Sequence, residues 1–388
     1  MRRIIMKARA DWRPGLRKYP YGVRAMGAGA RWREDVRYEF TAQQIDLIES
    51  VADELYGMLR EATRAAVEGR LFQPLGIRPE AARLVEASWH DYWAGGRFNE
   101  RAGGLVCRLT LAYDGRDSVK LLSCNADCPE GLFAASVIQW NWLEAMFADS
   151  DQFNGLHEAL VERWEELARG AAGRDHLHLT CLTPDPAREG ELVYLAATAE
   201  EAGIGASLLP IQSIGWDGQR FRGLEGEAIG WLAKQYPWEA MVDDAFGQHL
   251  RTGGMAVLEP LWRWVPSNHG ILALLWHLYP QHPNLCRAGA DEAALGGAEA
   301  ITVRTHLGLD HAATRMSEHG QVVADTGPSE NPGGFVWFET PHIFHQEGTH
   351  AVLDCWIVGD KCLGMSVRES EDPRVGPESA IVPHLFRA

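Results

Sequence analysis

The chain has 388 residues, 46% hydrophobic and 23% charged, with a formal net charge of −16; that is enough apolar material for two or three lobes and the wrong sign for a polyphosphate partner, with no basic stripe beyond the N-terminal arm. Its longest apolar runs, such as residues 271–276 and 208–211, fall far short of the roughly 20 residues that span a bilayer. Seven irregularly spaced cysteines argue against a disulfide framework and for a reducing, cytoplasmic setting.

Residues 1–40 read as an arm. Arg2, Arg3, Lys7, Arg9 and Arg13 crowd its start, but its apolar stretch is only residues 4–6, without the longer hydrophobic region of a signal peptide. Residues 42–68 place Ile45, Ile48, Val51, Leu55 and Leu59 at helical spacing, with Thr41 as N-cap. Strand-like runs follow at 106–113 and 119–122. Helical periodicity returns at 132–147 and 155–167, which together suggest a helical hairpin. Further strands are expected at 176–182 and 208–214; His176-Leu177-His178-Leu179 has the period of two of a half-covered strand. Residues 287–300 and 317–334 have loop composition. Residues 335–386 return to strand character, and Gly359-Asp360 between two apolar runs reads as a hairpin turn. Helices alternating with strands indicate an α/β architecture.

Several ordered blocks carry a family likeness. Leu121-Leu122-Ser123-Cys124-Asn125-Ala126-Asp127-Cys128-Pro129-Glu130-Gly131 resembles the Glu-Tyr-Asn-Ala-Asp signature of glutathionylspermidine synthases, and Cys107-Arg108-Leu109-Thr110 resembles the arginine-bearing strand before it. Tyr236-Pro237-Trp238-Glu239, Glu259-Pro260-Leu261-Trp262, Ser267-Asn268-His269-Gly270, Trp356-Ile357-Val358-Gly359-Asp360 and Val367-Arg368-Glu369 continue the likeness in order. The resemblance implies an α/β ATP-grasp fold with a substrate-side, pre-ATP-grasp lobe over residues 41–258 and a nucleotide-side lobe over residues 259–388. It implies ATP and Mg²⁺ as cofactors, and an ATP-dependent ligase that joins a small amine to a peptide carboxylate through an acyl phosphate. The family's amidase domain has no counterpart in the blocks matched.

Residue by residue, the resemblance puts Arg108 and Arg368 at the catalytic arginines, whose guanidinium forks suit a carboxylate and a developing oxyanion. The metal positions fall on Thr110, Ser123 and Asn125, where two carboxylates have become hydroxyls; octahedral Mg²⁺ wants charged oxygens. Asp127 is a possible substitute ligand, as are Asp114 and Glu130, although Asp127 also reads as a helix N-cap. Phosphate-contacting positions fall on Arg263 and Arg304, the glycine of the phosphate loop on Gly308, the adenine neighbour on Phe338, and Glu369 adjoins the site. The loop's arginine is here Leu309 and its last glycine His311. These replacements point to a carboxylate–amine ligase scaffold with impaired ATP and magnesium chemistry, the alternative being an inactive binding subunit of an intact paralogue. His342, His345 and His350 lie in one polar segment; a metal site is the lesser reading, since their spacing is irregular and loop histidines are usually solvated. Cys124 and Cys128 lack the two further ligands that zinc requires. Trp140/Trp142 and Trp262/Trp264 read as core.

Overall fold

A computed structural model describes residues 1–94, 97–99, 103–169, 176–330 and 332–387. The long helix Ala42–Glu68 begins at Thr41, whose hydroxyl accepts from the Gln44 amide while the Gln44 side chain returns a bond to the Thr41 backbone. Such a reciprocal cap satisfies two end groups and contributes on the order of 1 kcal/mol. The expected spacing is met: Ile45, Ile48, Val51, Leu55 and Leu59 are all buried.

Three sheets organise the chain. A six-stranded antiparallel sheet runs Ala380–Val382, Lys361–Ser370, Thr349–Val358, Val106–Tyr113, Val119–Asn125, with Phe344–Gln346 added beside Thr349–Val358. Gly359 and Asp360 form the two-residue turn of its long hairpin, with Val358 paired to Lys361 and Gly359 at φ 64°, the left-handed conformation such turns require. This sheet therefore takes strands from both sides of residue 258. A second, parallel sheet runs Ala256–Leu258, Trp231–Gln235, His176–Cys181, Gly205–Pro210. A third, antiparallel, runs Ala288–Gly289, Phe335–Glu339, Ala300–Thr305, Thr314–Glu318, Gln321–Asp325. The arm is tied down by strand pairing too: Arg2–Ile5 and Val36–Thr41 form a small sheet with His384–Arg387 at the far end of the chain.

Three local expectations are corrected. His176–Cys181 is buried along nearly its whole length rather than on alternate residues, because it is a central strand of a parallel sheet, and such strands are covered on both faces. Residues 317–334 are not all loop: Gln321–Asp325 pairs with Thr314–Glu318 as an edge strand, and an edge tolerates the polar, glycine-flanked composition that reads as loop. The segment beginning at residue 132 is helical but contains a π turn at Ala134–Ile138 before the α-helix Gln139–Met146. The next helix, Leu156–Ala168, packs against Pro186–Glu201 and the back of Thr349–Val358 as well as the π turn, so the two do not form an isolated hairpin. Among the described residues no helix is long and apolar enough to cross a membrane.

Candidate functional site

A cleft of about 400 Å³ lies between the six-stranded and third sheets, lined by Thr110, Ser123 and Arg368 from one and Arg304 and Thr314 from the other. Strand register assembles its floor. Arg108 pairs with Asn125 and Thr110 with Ser123 across one strand boundary, and Thr110 pairs with Asp354 across the next. Residues two apart on a strand share a face, so Arg108 and Thr110 fall on the same side of the sheet.

Two buried networks result. The Arg368 guanidinium donates to both oxygens of Asp354, at 2.5 and 2.8 Å, and to the Thr110 hydroxyl at 3.1 Å, while Thr110 donates to Asp354 at 2.9 Å. Arg108, 3% exposed, donates to the Glu130 carbonyl at 2.6 Å and to Asp310 Oδ1 at 2.5 Å; the other Asp310 oxygen accepts from Asn125 Nδ2 at 2.9 Å. Burial by itself would raise the Asp310 pKa, but Arg108 and then Arg368 outweigh it and hold the carboxyl well below the usual carboxylate range. Burial likewise opposes the charge on Arg108, and Asp310 and Asp354 outweigh it to raise its pKa.

Asp310 reaches Arg108 through the turn Leu309–His311, which Gly308 initiates at φ 101°, a conformation open to glycine and costly to other residues. The Gly308 amide donates to Glu239 Oε2 at 3.2 Å, and burial raises the Glu239 pKa. Arg304 differs from the other cleft arginines. Its Nε donates to Thr314 Oγ1 at 3.3 Å and its Nη1 to the Leu122 carbonyl at 3.2 Å, and its guanidinium lies 5.5 Å from the centroid of the buried Phe338 ring. No carboxylate among the described residues forms an ion pair with it, and burial, reinforced by Arg368, lowers its pKa to about 10 against the pull of Asp310. Beside it a smaller cavity of about 220 Å³ is walled by Leu122, Met316, Phe338, Ile343 and Val352 and also by Glu318, Arg374 and the three histidines His342, His345 and His350.

Of the residues singled out by sequence, Arg108, Thr110, Ser123, Asn125, Arg304, Gly308, Phe338 and Arg368 come together here. Three do not. Arg263 is fully buried in the core, bonded to Glu259, the Val106 carbonyl and Tyr56, and does not line the cleft. Glu369 follows Arg368 on the strand and so points to the opposite face, where Arg3 at 2.8 Å and Tyr38 at 2.7 Å hold it. Asp127 is 1% exposed, with one oxygen against Lys234 and the other accepting from the Trp238 amide at 2.8 Å; it caps the helix Trp238–Met241 rather than the one that follows it in sequence. Asp310, Asp354 and His269 have no role in the motif reading, although His269 lies within one of the matched blocks. A lone acid inside the apolar run Val352-Leu353-Asp354-Cys355-Trp356 was the available signal for one of them, since a buried charge needs a partner.

The residues that the resemblance puts at the metal positions do not fit Mg²⁺. Thr110 Oγ1 already accepts from Arg368 Nη2 at 3.1 Å, the Asn125 amide oxygen accepts from the Asp127 and Cys128 backbone at 3.3 and 3.1 Å, and the nearby Asp310 and Asp354 are neutralised by Arg108 and Arg368. Among the described residues no three His, Cys, Asp or Glu side chains converge as a metal cluster.

The sequence profile of the glutathionylspermidine synthase preATP-grasp family matches residues 3–387. A Haemophilus influenzae protein carrying the provisional name acid–amine ligase is 30% identical, over 94% of this chain and 93% of its own. A trypanothione synthetase of Crithidia fasciculata is 25% identical over 70% of this chain, and the bifunctional glutathionylspermidine synthetase/amidase of Escherichia coli 26% over 71%; the matches span 46% and 48% of those longer proteins. A glutathione synthetase-like effector of Globodera pallida shares the fold, with a TM-score of 0.56, 9% identity and 98% of each chain covered.

Proposed function

The chain belongs to the glutathionylspermidine synthase preATP-grasp family, and from that premise we propose that it is an acid–amine ligase scaffold that still takes an anionic, nucleotide-like ligand but has lost the magnesium-dependent step. The observation that supports this most is the closure of the ligand positions on themselves: Asp310 and the Glu130 carbonyl occupy the two Nη atoms of Arg108, Asp354 fills the fork of Arg368, and Thr110 and Asn125 serve those same networks. Arg304, with no carboxylate ion-paired to it among the described residues, supplies a cation for a phosphate, and the adjoining cavity offers a base the Phe338 ring together with polar groups from Thr302, Thr340 and Glu318. ATP bound there would supply a transferable phosphoryl group; the chain's own part is to bind and orient it. Removing one preorganised electrostatic partner typically costs about 2–4 kcal/mol of barrier, so several replacements at one centre are enough to suppress turnover.

Thermal unfolding with millimolar ATP, in EDTA and then in magnesium, tests the reading. A ligand at about 100 times its Kd adds roughly 2.7 kcal/mol, and the same rise is expected with and without the metal, together with no ADP release on a panel of amines and carboxylates. A rise seen only with magnesium, accompanied by ADP release, would sink it. In the doubly substituted Thr110→Asp/Ser123→Glu chain the rise should become magnesium-dependent, with Arg368 Nη2 placed to steady the new carboxylate at 110.

A further inference from the structure

His269 lines the same cleft on the side of Arg304, and its ring geometry fixes what it offers. It is 4% exposed, and its Nδ1 lies 3.1 Å from the Thr305 carbonyl oxygen. A carbonyl only accepts, so Nδ1 carries the proton and Nε2 presents a lone pair. No hydrogen bond engages Nε2 among the described residues. Burial, and then the positive charge of Arg304, hold the ring neutral by lowering its pKa to about 3; Asp310 opposes this and His306 adds to it. The Ser123 hydroxyl and the unbonded Nη2 of Arg304 are donors on the same cleft. The cleft thus combines donors for an anion with a neutral acceptor, His269 Nε2, beside the ionised Asp310 that also lines it; both repel an oxygen that lacks a proton. A carboxylate would meet that acceptor lone pair to lone pair, and the guanidiniums of Arg108 and Arg368 already hold Asp310 and Asp354.

We infer that the cleft selects an oxyanion that keeps a proton, a hydrogen phosphate group free or as a monoester, with His269 Nε2 accepting from its O–H while Arg304 and Ser123 donate to its other oxygens. The inference rests on the reading that the cleft binds anions without magnesium, and it adds His269 as a residue that sets specificity. Phosphate near neutral pH carries a proton to give; sulfate, of the same shape, does not.

Calorimetric titration of the full chain in EDTA with inorganic phosphate, phenyl phosphate and sulfate tests it. Phosphate is expected to bind at least about tenfold more tightly than sulfate, the scale of one buried hydrogen bond, and His269→Leu should bring that ratio to about one by weakening phosphate. Tighter binding of phenyl phosphate than of inorganic phosphate marks a monoester as the ligand, and the reverse order marks free phosphate. Equal affinity of the unaltered chain for phosphate and sulfate overturns the inference, as does a preference that survives in a folded His269→Leu chain. The unaltered chain's own ratio stands whether or not the variant folds. If ATP stabilises the chain in EDTA while phosphate and sulfate bind alike, the role of His269 alone fails; if no anion binds, the anion-binding reading fails with it.

Discussion

Asp127 and Lys234 form an ion pair whose side chains are 1% and 0% exposed. Two buried charges persist only while each neutralises the other, and removing one partner leaves the second desolvated and uncompensated, at a cost of about 3–5 kcal/mol. The Trp238 amide satisfies one Asp127 oxygen but carries no full charge. Lys234→Met is therefore expected to lower unfolding stability by about 3–5 kcal/mol, and Lys234→Met/Asp127→Asn to recover most of that loss. Urea denaturation of both variants checks this; a single variant unfolding at the original midpoint would show that the pair holds nothing together. The same reasoning separates Arg368 from Glu369: neighbours in sequence, they serve opposite faces of one strand, and only the first reaches the cleft.

The element that decides the state of the cleft is the turn from Gly308 to His311. Gly308 has φ 101°, and an added Cβ would lie 3.0 Å from the Ala312 Cα. Leu309 follows at φ 48°, so the turn carries strain that its contacts must offset. What it delivers is the Asp310 carboxylate onto Arg108 and Asn125. Gly308→Ala should cost about 1–3 kcal/mol and loosen Asp310 from Arg108, read as a lowered urea midpoint with faster proteolytic nicking at this turn. An unchanged midpoint would mean that the turn adapts without strain. The sequence reading recognised this segment from its likeness to a phosphate loop and noted the replaced glycine, but the destination of Asp310 depends on a strand nearly two hundred residues away.

Over the whole molecule, buried titratable groups predict how stability follows pH. His269 and His384 are buried, and burial lowers the pKa of each to about 3 from 6.5. The folded state thus refuses a proton that the unfolded chain takes: stability is full above pH 6.5 and is lost as pH falls below it, by about 1.4 kcal/mol per unit for each histidine. Glu191 acts in the opposite sense. Burial pushes it up to about 7 from 4.5, so its contribution is full below pH 4.5 and is lost as pH rises toward 7. Between pH 6.5 and 4.5 it offsets one histidine, leaving these three groups a net loss of about 1.4 kcal/mol per unit. Glu191→Gln should steepen that acid loss to roughly twice the slope, measured by denaturation at several pH values; an unchanged slope would show that Glu191 is ionised throughout.

The sequence by itself determined what depends on local chemistry and on order along the chain. The capped helix Ala42–Glu68, the Gly359-Asp360 turn, the α/β class and the family blocks all follow from spacing, turn residues and motif order, and so does the presence of Thr110 and Ser123 where the resemblance leads one to expect acids. The pairing of Val106–Tyr113 with Thr349–Val358 was decided only by the tertiary structure, and with it the meeting of Thr110, Asp354 and Arg368. So were the burial of Arg263 away from the cleft, the turn of Glu369 to the far face, and the free nitrogen of His269. Those outcomes are contacts between distant segments, fixed by strand register and by the demand that every buried charge find a partner, and neither condition is written in the residues around any one of them.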